Sequence, residues 1–226
     1  MKYILAITYT SPLRTIYIIM KAFIKLFVLV VLILPAGFSS LQAQQPVYVG
    51  IPSNQMNYYS ASQNNSQWCW AASIQMVLNY YGVNIQQEQI VARTYGTDYN
   101  GNLPNWSGSL EVIHQNLNNW SMDNRGDSYS VSASMGWKAP NPTYLIQELS
   151  AGRPIIIGYQ TGQGGHAVVI TAASYIPTAS GPYIQSIVVR DPWPSQENRA
   201  TNGRLEYAGA DLANRIDAHW YVRVYR

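Results

Sequence analysis

One cysteine, Cys69, serves a chain of 226 residues. A single thiol excludes any disulfide within the chain. With only three histidines beside it, His114, His166 and His219, it also excludes a convincing structural zinc site, which takes several such ligands. Charge is scarce: Asp, Glu, Lys and Arg make up 11% of the residues, and they form no basic stripe. A nucleic-acid binder needs one, so no nucleic-acid partner is expected. The glycines of Gly162-Gln163-Gly164-Gly165 are followed neither by Gly-Lys-Ser/Thr nor by a helical pattern, which excludes a phosphate loop. Nothing in the chain calls for a cofactor.

The amino-terminal end departs from this pattern. Leu26–Leu34 (LFVLVVLIL) is unbroken apolar sequence, preceded by Lys21 and Lys25 and broken by Pro35, Ala36 and Gly37. It is too short to span a bilayer comfortably, which takes roughly 20 apolar residues. A positive start, a short apolar run and small residues at the end mark a secretion signal, with cleavage expected after Ala43. Met20 alone opens a signal of ordinary length, so residues 1–19 read as an over-extended start. Four of the fourteen basic residues lie in this segment, and all eleven acidic ones follow from Glu88 onward. The mature chain, 44–226, is then close to neutral. It is expected to be secreted or periplasmic, without stable membrane insertion. A lone thiol in an oxidising compartment is a liability unless it is buried or chemically needed.

Apolar residues at 47% suffice for a sizeable core. Residues 44–62 read as a short polar lead-in. Trp70, Ile74, Val77, Leu78 and Tyr81 fall on one helical face, which predicts a helix over 68–81 stopped at Gly82. Further helices are expected over 87–94, from Ser109 through Leu117, over 143–150 and over 208–215. Residues 119–141 read as irregular or weakly stranded. Strands are expected over 154–159, 166–175, 185–190 and 219–225. Helices first and strands second predict an α+β fold, a helical half packed against an antiparallel β-sheet half.

The stretch Gln63-Asn64-Asn65-Ser66-Gln67-Trp68-Cys69-Trp70-Ala71-Ala72 places the thiol where a helix begins. A helix amino terminus offers free N–H groups and partial positive charge, both of which favour a thiolate and a developing oxyanion. Gln63, six residues earlier, can bring a side-chain amide round to face the thiol, and Gln67 competes for that role. Among the histidines, His166 has the context of a base: it follows four glycine-rich positions and opens an apolar strand. Asp191 ends the next strand and can orient the imidazole, with Trp193 shielding that bond from water.

Together, Gln63-x5-Cys69-Trp70, His166-Ala167-Val168-Val169-Ile170 and Asp191-x-Trp193 resemble the papain-like cysteine proteases. The resemblance is strongest to the bacterial branch with a Trp-Cys-Trp-Ala-Ala nucleophile motif, which includes avirulence effectors of plant pathogens. Its layout is similar to that of the peptidases that process double-glycine bacteriocin leaders. The resemblance covers roughly residues 60–195. It implies a cleft between the helical and sheet halves, a peptide or protein substrate, attack by Cys69, proton transfer by His166, and an oxyanion held by Gln63 and the Cys69 N–H. Two departures stand out. Papain itself orients its histidine with asparagine rather than aspartate. Papain relatives also carry disulfides and a long pro-region, where this chain has only residues 44–62. Two other readings remain: an amidase, deamidase or acyltransferase using the same three residues, and a non-catalytic secreted or toxin-associated binding module.

Overall fold

The computed structural model describes residues 44–226 together with 16–17 and 20–21; the expected secretion signal, its apolar run and its cut after Ala43 otherwise lie outside the described residues. Gln44–Arg226 form one compact unit. Among the described residues, no helix is long and apolar enough to cross a membrane.

The unit is α+β, built on one antiparallel sheet. Its strands are β1 (Val47–Gly50), β2 (Asn119–Met122), β3 (Ser128–Trp137), β4 (Ile155–Thr161), β5 (Gly164–Thr178), β6 (Gly181–Arg190), β7 (Arg204–Ala208) and β8 (Ile216–Tyr225). They run in the order β2-β3-β8-β4-β5-β6-β7, and β1 pairs separately with β5. The chain's last strand therefore lies in the middle of the sheet, between β3 and β4.

The helices divide between the two faces of this sheet. On one face lie α2 (Cys69–Tyr80), α3 (Gln87–Tyr95) and α4 (Leu110–Asn116). They pack on Ile156, Ala167, Val169, Ala218, Trp220 and Val222. On the other, α5 (Pro142–Ser150) and α7 (Gly209–Ala213) pack on Ile155, Ile157, Val168, Ile170, Val189 and Ile216. Alternation along β4, and along β5 as far as Ile170, feeds the two cores, as the period of two in a strand requires. Each fully buried Leu, Ile or Val adds roughly 1.5–3 kcal/mol.

Helix α2 is the central helix. Its sequence shows one apolar face, yet every residue from Trp70 to Leu78 is buried. It lies between the sheet and the other helices, so its polar residues are enclosed too. An amide chain partly satisfies them: Gln87 Nε2 donates to Gln75 Oε1 and Gln75 Nε2 to Gln86 Oε1, both at 2.9 Å. Helix α3 starts on a two-way cap between Gln86 and Gln89, and α4 on the Ser109 hydroxyl.

Three segments differ from the sequence-based expectation. Residues 44–62 hold β1 and α1 (Ser53–Tyr59), whose one buried side chain is Met56. Residues 119–137 form a paired β2–β3 hairpin, where the sequence predicts irregular or weakly stranded chain over 119–141. Serines at 128, 130, 132 and 134 occupy alternate positions along β3, which lowers its apolar content without breaking its alternation. Between β6 and β7 lies α6 (Gln196–Ala200), started by the Ser195 hydroxyl.

Candidate active site

Cys69 is the first residue of α2, and the flanking indoles fix where that helix starts. Trp68 Nε1 donates to the Pro104 carbonyl at 3.0 Å, and Trp70 Nε1 to the Trp106 carbonyl at 3.2 Å. Asn105, between them, accepts the Gln67 N–H and donates to the Ser66 hydroxyl. The motif Trp68-Cys69-Trp70 thus clamps the helix start to the loop at 104–106. Gly108 continues that loop across Trp70: a Cβ there would come within 2.6 Å of the indole, so only glycine admits this approach. No side chain caps α2. The N–H groups of its first turn, Cys69 included, carry the partial positive charge of the helix end.

The opposite wall comes from the sheet. His166 enters β5 just after the tight β4–β5 turn, in which Gly164 takes φ 128°. Asp191 immediately follows β6, the neighbour of β5. His166 Nε2 donates to Asp191 Oδ1 at 2.7 Å. The same oxygen accepts the Trp193 N–H at 2.8 Å, which fixes the carboxylate. With Nε2 engaged, Nδ1 is the ring nitrogen left for Cys69. Both side chains of the pair are largely enclosed, 13% and 8% exposed. Burial works against a charged ring. Hydrogen bonding to Asp191 and then to Cys69, reinforced by the charge on each, outweighs it and pushes the imidazole up from 6.5 to about 9.

The carboxylate is itself held from below. The Asp191 N–H donates to the Gly203 carbonyl at 2.8 Å. Asn198 Nδ2 ties down the Trp193 carbonyl at 2.9 Å. The Gln63 N–H donates to the Pro192 carbonyl at 2.8 Å, which joins the thiol's loop to the carboxylate's loop by backbone alone.

Cys69, His166, Asp191 and Trp193 line one open cleft of about 870 Å³ between the two walls. The thiol is half-buried, neither sealed nor fully exposed. Trp193 is 47% exposed, at the edge of the His166–Asp191 bond. Gln63 stands elsewhere. It is buried, off the cleft wall, and its amide donates to the carbonyls of Asn65 (2.9 Å) and Ser66 (2.8 Å). Its Oε1 is buried without a partner. Gln67, the competing amide, does line the cleft. The other histidines serve structure: His219 Nδ1 donates to the Lys138 carbonyl at 2.8 Å, and His114 lies beside Asn118 on α4. Sequence reasoning missed Asn105, Gly108 and Asn198, whose roles depend on loops that meet only in the fold. The one advance signal was the pair of indole N–H groups around Cys69, each in need of an acceptor.

An enclosed imidazole–carboxylate pair facing a thiol at a helix start is how cysteine proteases are built, and that is the class of this protein. The chain belongs to the Peptidase_C39 like family, whose profile matches residues 52–213. Among solved structures it is similar to the peptidase domain of Streptococcus ComA, a bi-functional ABC transporter of a quorum-sensing pathway. That match has 13% identity and a TM-score of 0.45 and covers 72% of this chain and 95% of that one. It is also similar to a double glycine motif protease from an AMS/PCAT transporter, solved in complex with the leader peptide. There the identity is 14% and the TM-score 0.41, with 71% of this chain and 87% of that one covered. No curated protein sequence matches.

Proposed function

We propose that the protein is an exported peptidase that cuts peptide bonds through a Cys69–His166–Asp191 triad and an acyl-enzyme thioester. The observation that carries this reading is the 2.7 Å His166–Asp191 bond, made by a ring that Asp191 and Cys69 together hold protonated up to about pH 9. In this mechanism His166 Nδ1 already holds the thiol proton in the resting pair, and Cys69 Sγ attacks the peptide carbonyl carbon as a thiolate. The proton passes from His166 to the leaving amine as the C–N bond breaks, leaving a thioester. Water then gives a proton to His166 and its hydroxyl to the acyl carbon, releasing the acid and restoring the thiolate–imidazolium pair. Asp191 keeps the ring oriented and stabilises the imidazolium without taking its proton. The Cys69 N–H holds the oxyanion. Gln63 supplies the second donor by turning one N–H away from the Asn65 or Ser66 carbonyl, and Trp193 keeps water from the His166–Asp191 bond.

Alkylation with iodoacetamide at mildly acidic pH tests the ion pair: Cys69 labels rapidly in the unmodified chain and slowly in His166→Ala. Slow labelling of both defeats the reading. Cys69→Ala abolishes peptide hydrolysis. Gln63→Ala lowers kcat by roughly 100-fold, the scale of one oxyanion donor, and Gln67→Ala does so far less; the reverse order moves the role to Gln67. Export with removal of residues 1–43 makes Gln44 the first residue of the mature chain, which amino-terminal sequencing of the exported protein checks.

A further inference from the structure

The cleft holds one carboxylate that the hydrolysis does not use. Across the β4–β8 pairing, Gly158 lies opposite Ala218 and Tyr159 opposite Ile216, which leaves Asp217 as an extra residue on β8. A bulge of this kind turns consecutive side chains out of strict alternation and re-aims one of them. The packing records the change. Ile216 belongs to the core under α5 and α7, whereas Ala218 belongs to the core under α2, α3 and α4. Regular alternation would have put both on one face. Asp217 is thereby turned to the cleft, where it shares the wall with Gly158, Ala167 and Leu110. These neighbours are small or apolar. A Cβ added at Gly158 would meet Leu110 at 3.3 Å, so the glycine keeps this part of the slot open.

The charges around Asp217 leave it available. Of the other ionisable groups that contribute to the reaction, Asp191 and His166 are bonded to each other. Asp217 Oδ2 accepts from Gln160 Nε2. Among the described residues its one ion-pair partner is Lys138, whose Nζ stands 3.7 Å from Oδ1 on a side chain 80% exposed, while that of Asp217 is 32% exposed. An exposed pair at that distance is weak. A guanidinium or ammonium entering along the slot would lay its methylene stem on Leu110 and bring its charge to a partly enclosed carboxylate, which is a better site than the one Lys138 occupies.

Resting on the peptidase reading of this cleft, we infer that Asp217 is a specificity-determining residue that selects peptides carrying arginine or lysine in the slot beside the scissile bond. Recognition and turnover are separable. Calorimetry on the chain carrying Cys69→Ala, with peptide pairs that differ only as arginine or citrulline at one position, reads recognition alone. At one position arginine binds ~10-fold or more tighter. The preference falls to about 2-fold or less with Asp217→Asn, survives in Asp217→Glu, and shrinks as ionic strength rises. Equal affinity at every position, a preference retained in Asp217→Asn, indifference to salt, or no peptide binding at all each overturn the inference. Turnover by the unmodified chain is scored separately. Arginine-selective binding without hydrolysis supports Asp217 and defeats the peptidase chemistry; hydrolysis without selectivity defeats Asp217 alone.

Discussion

Replacing Asp191 by asparagine keeps the size and shape of the group beside His166 and removes its charge. In the unmodified protein the imidazole is raised from 6.5 to about 9, against the pull of burial, by hydrogen bonding and charge from Asp191 and Cys69. A shift of that size corresponds to roughly 3 kcal/mol between the charged and neutral ring. The geometry gives the same scale: unit charges a few ångströms apart interact by about 4 kcal/mol at the effective dielectric of a protein. Because the folded-state value lies above the unfolded one, the pair adds stability that is fully present below pH 6.5 and is lost as pH rises through about 9. Nuclear magnetic resonance of the three imidazole rings, titrated from about pH 5 to about 11, tests this directly. His166 should hold its proton to about 9. His219 should lose its proton below 6.5, since burial lowers it more than its bond to the Lys138 carbonyl raises it. In Asp191→Asn the His166 midpoint falls by roughly 1 to 2 units, and the alkaline limb of peptide hydrolysis falls with it. A His166 midpoint at or below 6.5 in the unmodified protein, or one that Asp191→Asn leaves in place, refutes the reasoning.

Three other substitutions probe what supports the site and the fold. Arg190 is almost wholly buried and donates to the carbonyls of Thr201, Asn202 and Ser53. Burial, with Arg204 nearby, pushes it down to about 10. Arg190→Met strands three carbonyls and costs roughly 2–4 kcal/mol in urea unfolding, with activity lost through the loosened segment under Asp191. Gly203 has φ 70°, and a Cβ there would run into the Asp191 carbonyl. Gly203→Ala therefore costs roughly 2 kcal/mol and lowers kcat, where an equal exchange at the open Gly162 does neither. The Asp123 carboxylate accepts the N–H groups of Asn84, Arg125 and Asp127, and with the Asn84 bond foremost it is held down at about 2, against burial. It contributes stability above pH 3.8 that is lost as pH falls through about 2; in Asp123→Asn the urea midpoint loses that acid dependence.

Much of the site was legible in the sequence because its chemistry is local. Cys69 at the start of an apolar period of 3.6 residues, His166 after glycines and before a run of β-branched residues, and Asp191 at the end of another such run each announce an element boundary. Cleft residues cluster at such boundaries. The hairpin at 119–137 was harder to read because its outward serines mute the alternation. The lead-in at 44–62 was harder still: β1 is a four-residue strand that gains its partner only from β5, more than a hundred residues away. Gln63 shows the opposite limit. Its spacing from Cys69 suggested an amide facing the thiol, but the nearest acceptors for that amide are carbonyls of its own loop.

Periodicity and residue type alone determined the helix that begins at the thiol, the strands that carry imidazole and carboxylate, and the α+β order of the chain, because those signals depend on neighbours within a few residues. The tertiary structure decided which loop clamps the helix start at Cys69, where the last strand inserts, and that one extra residue on β8 turns Asp217 into the cleft. These features arise from contacts between segments remote in sequence, where packing and backbone pairing, rather than local preference, choose the partner.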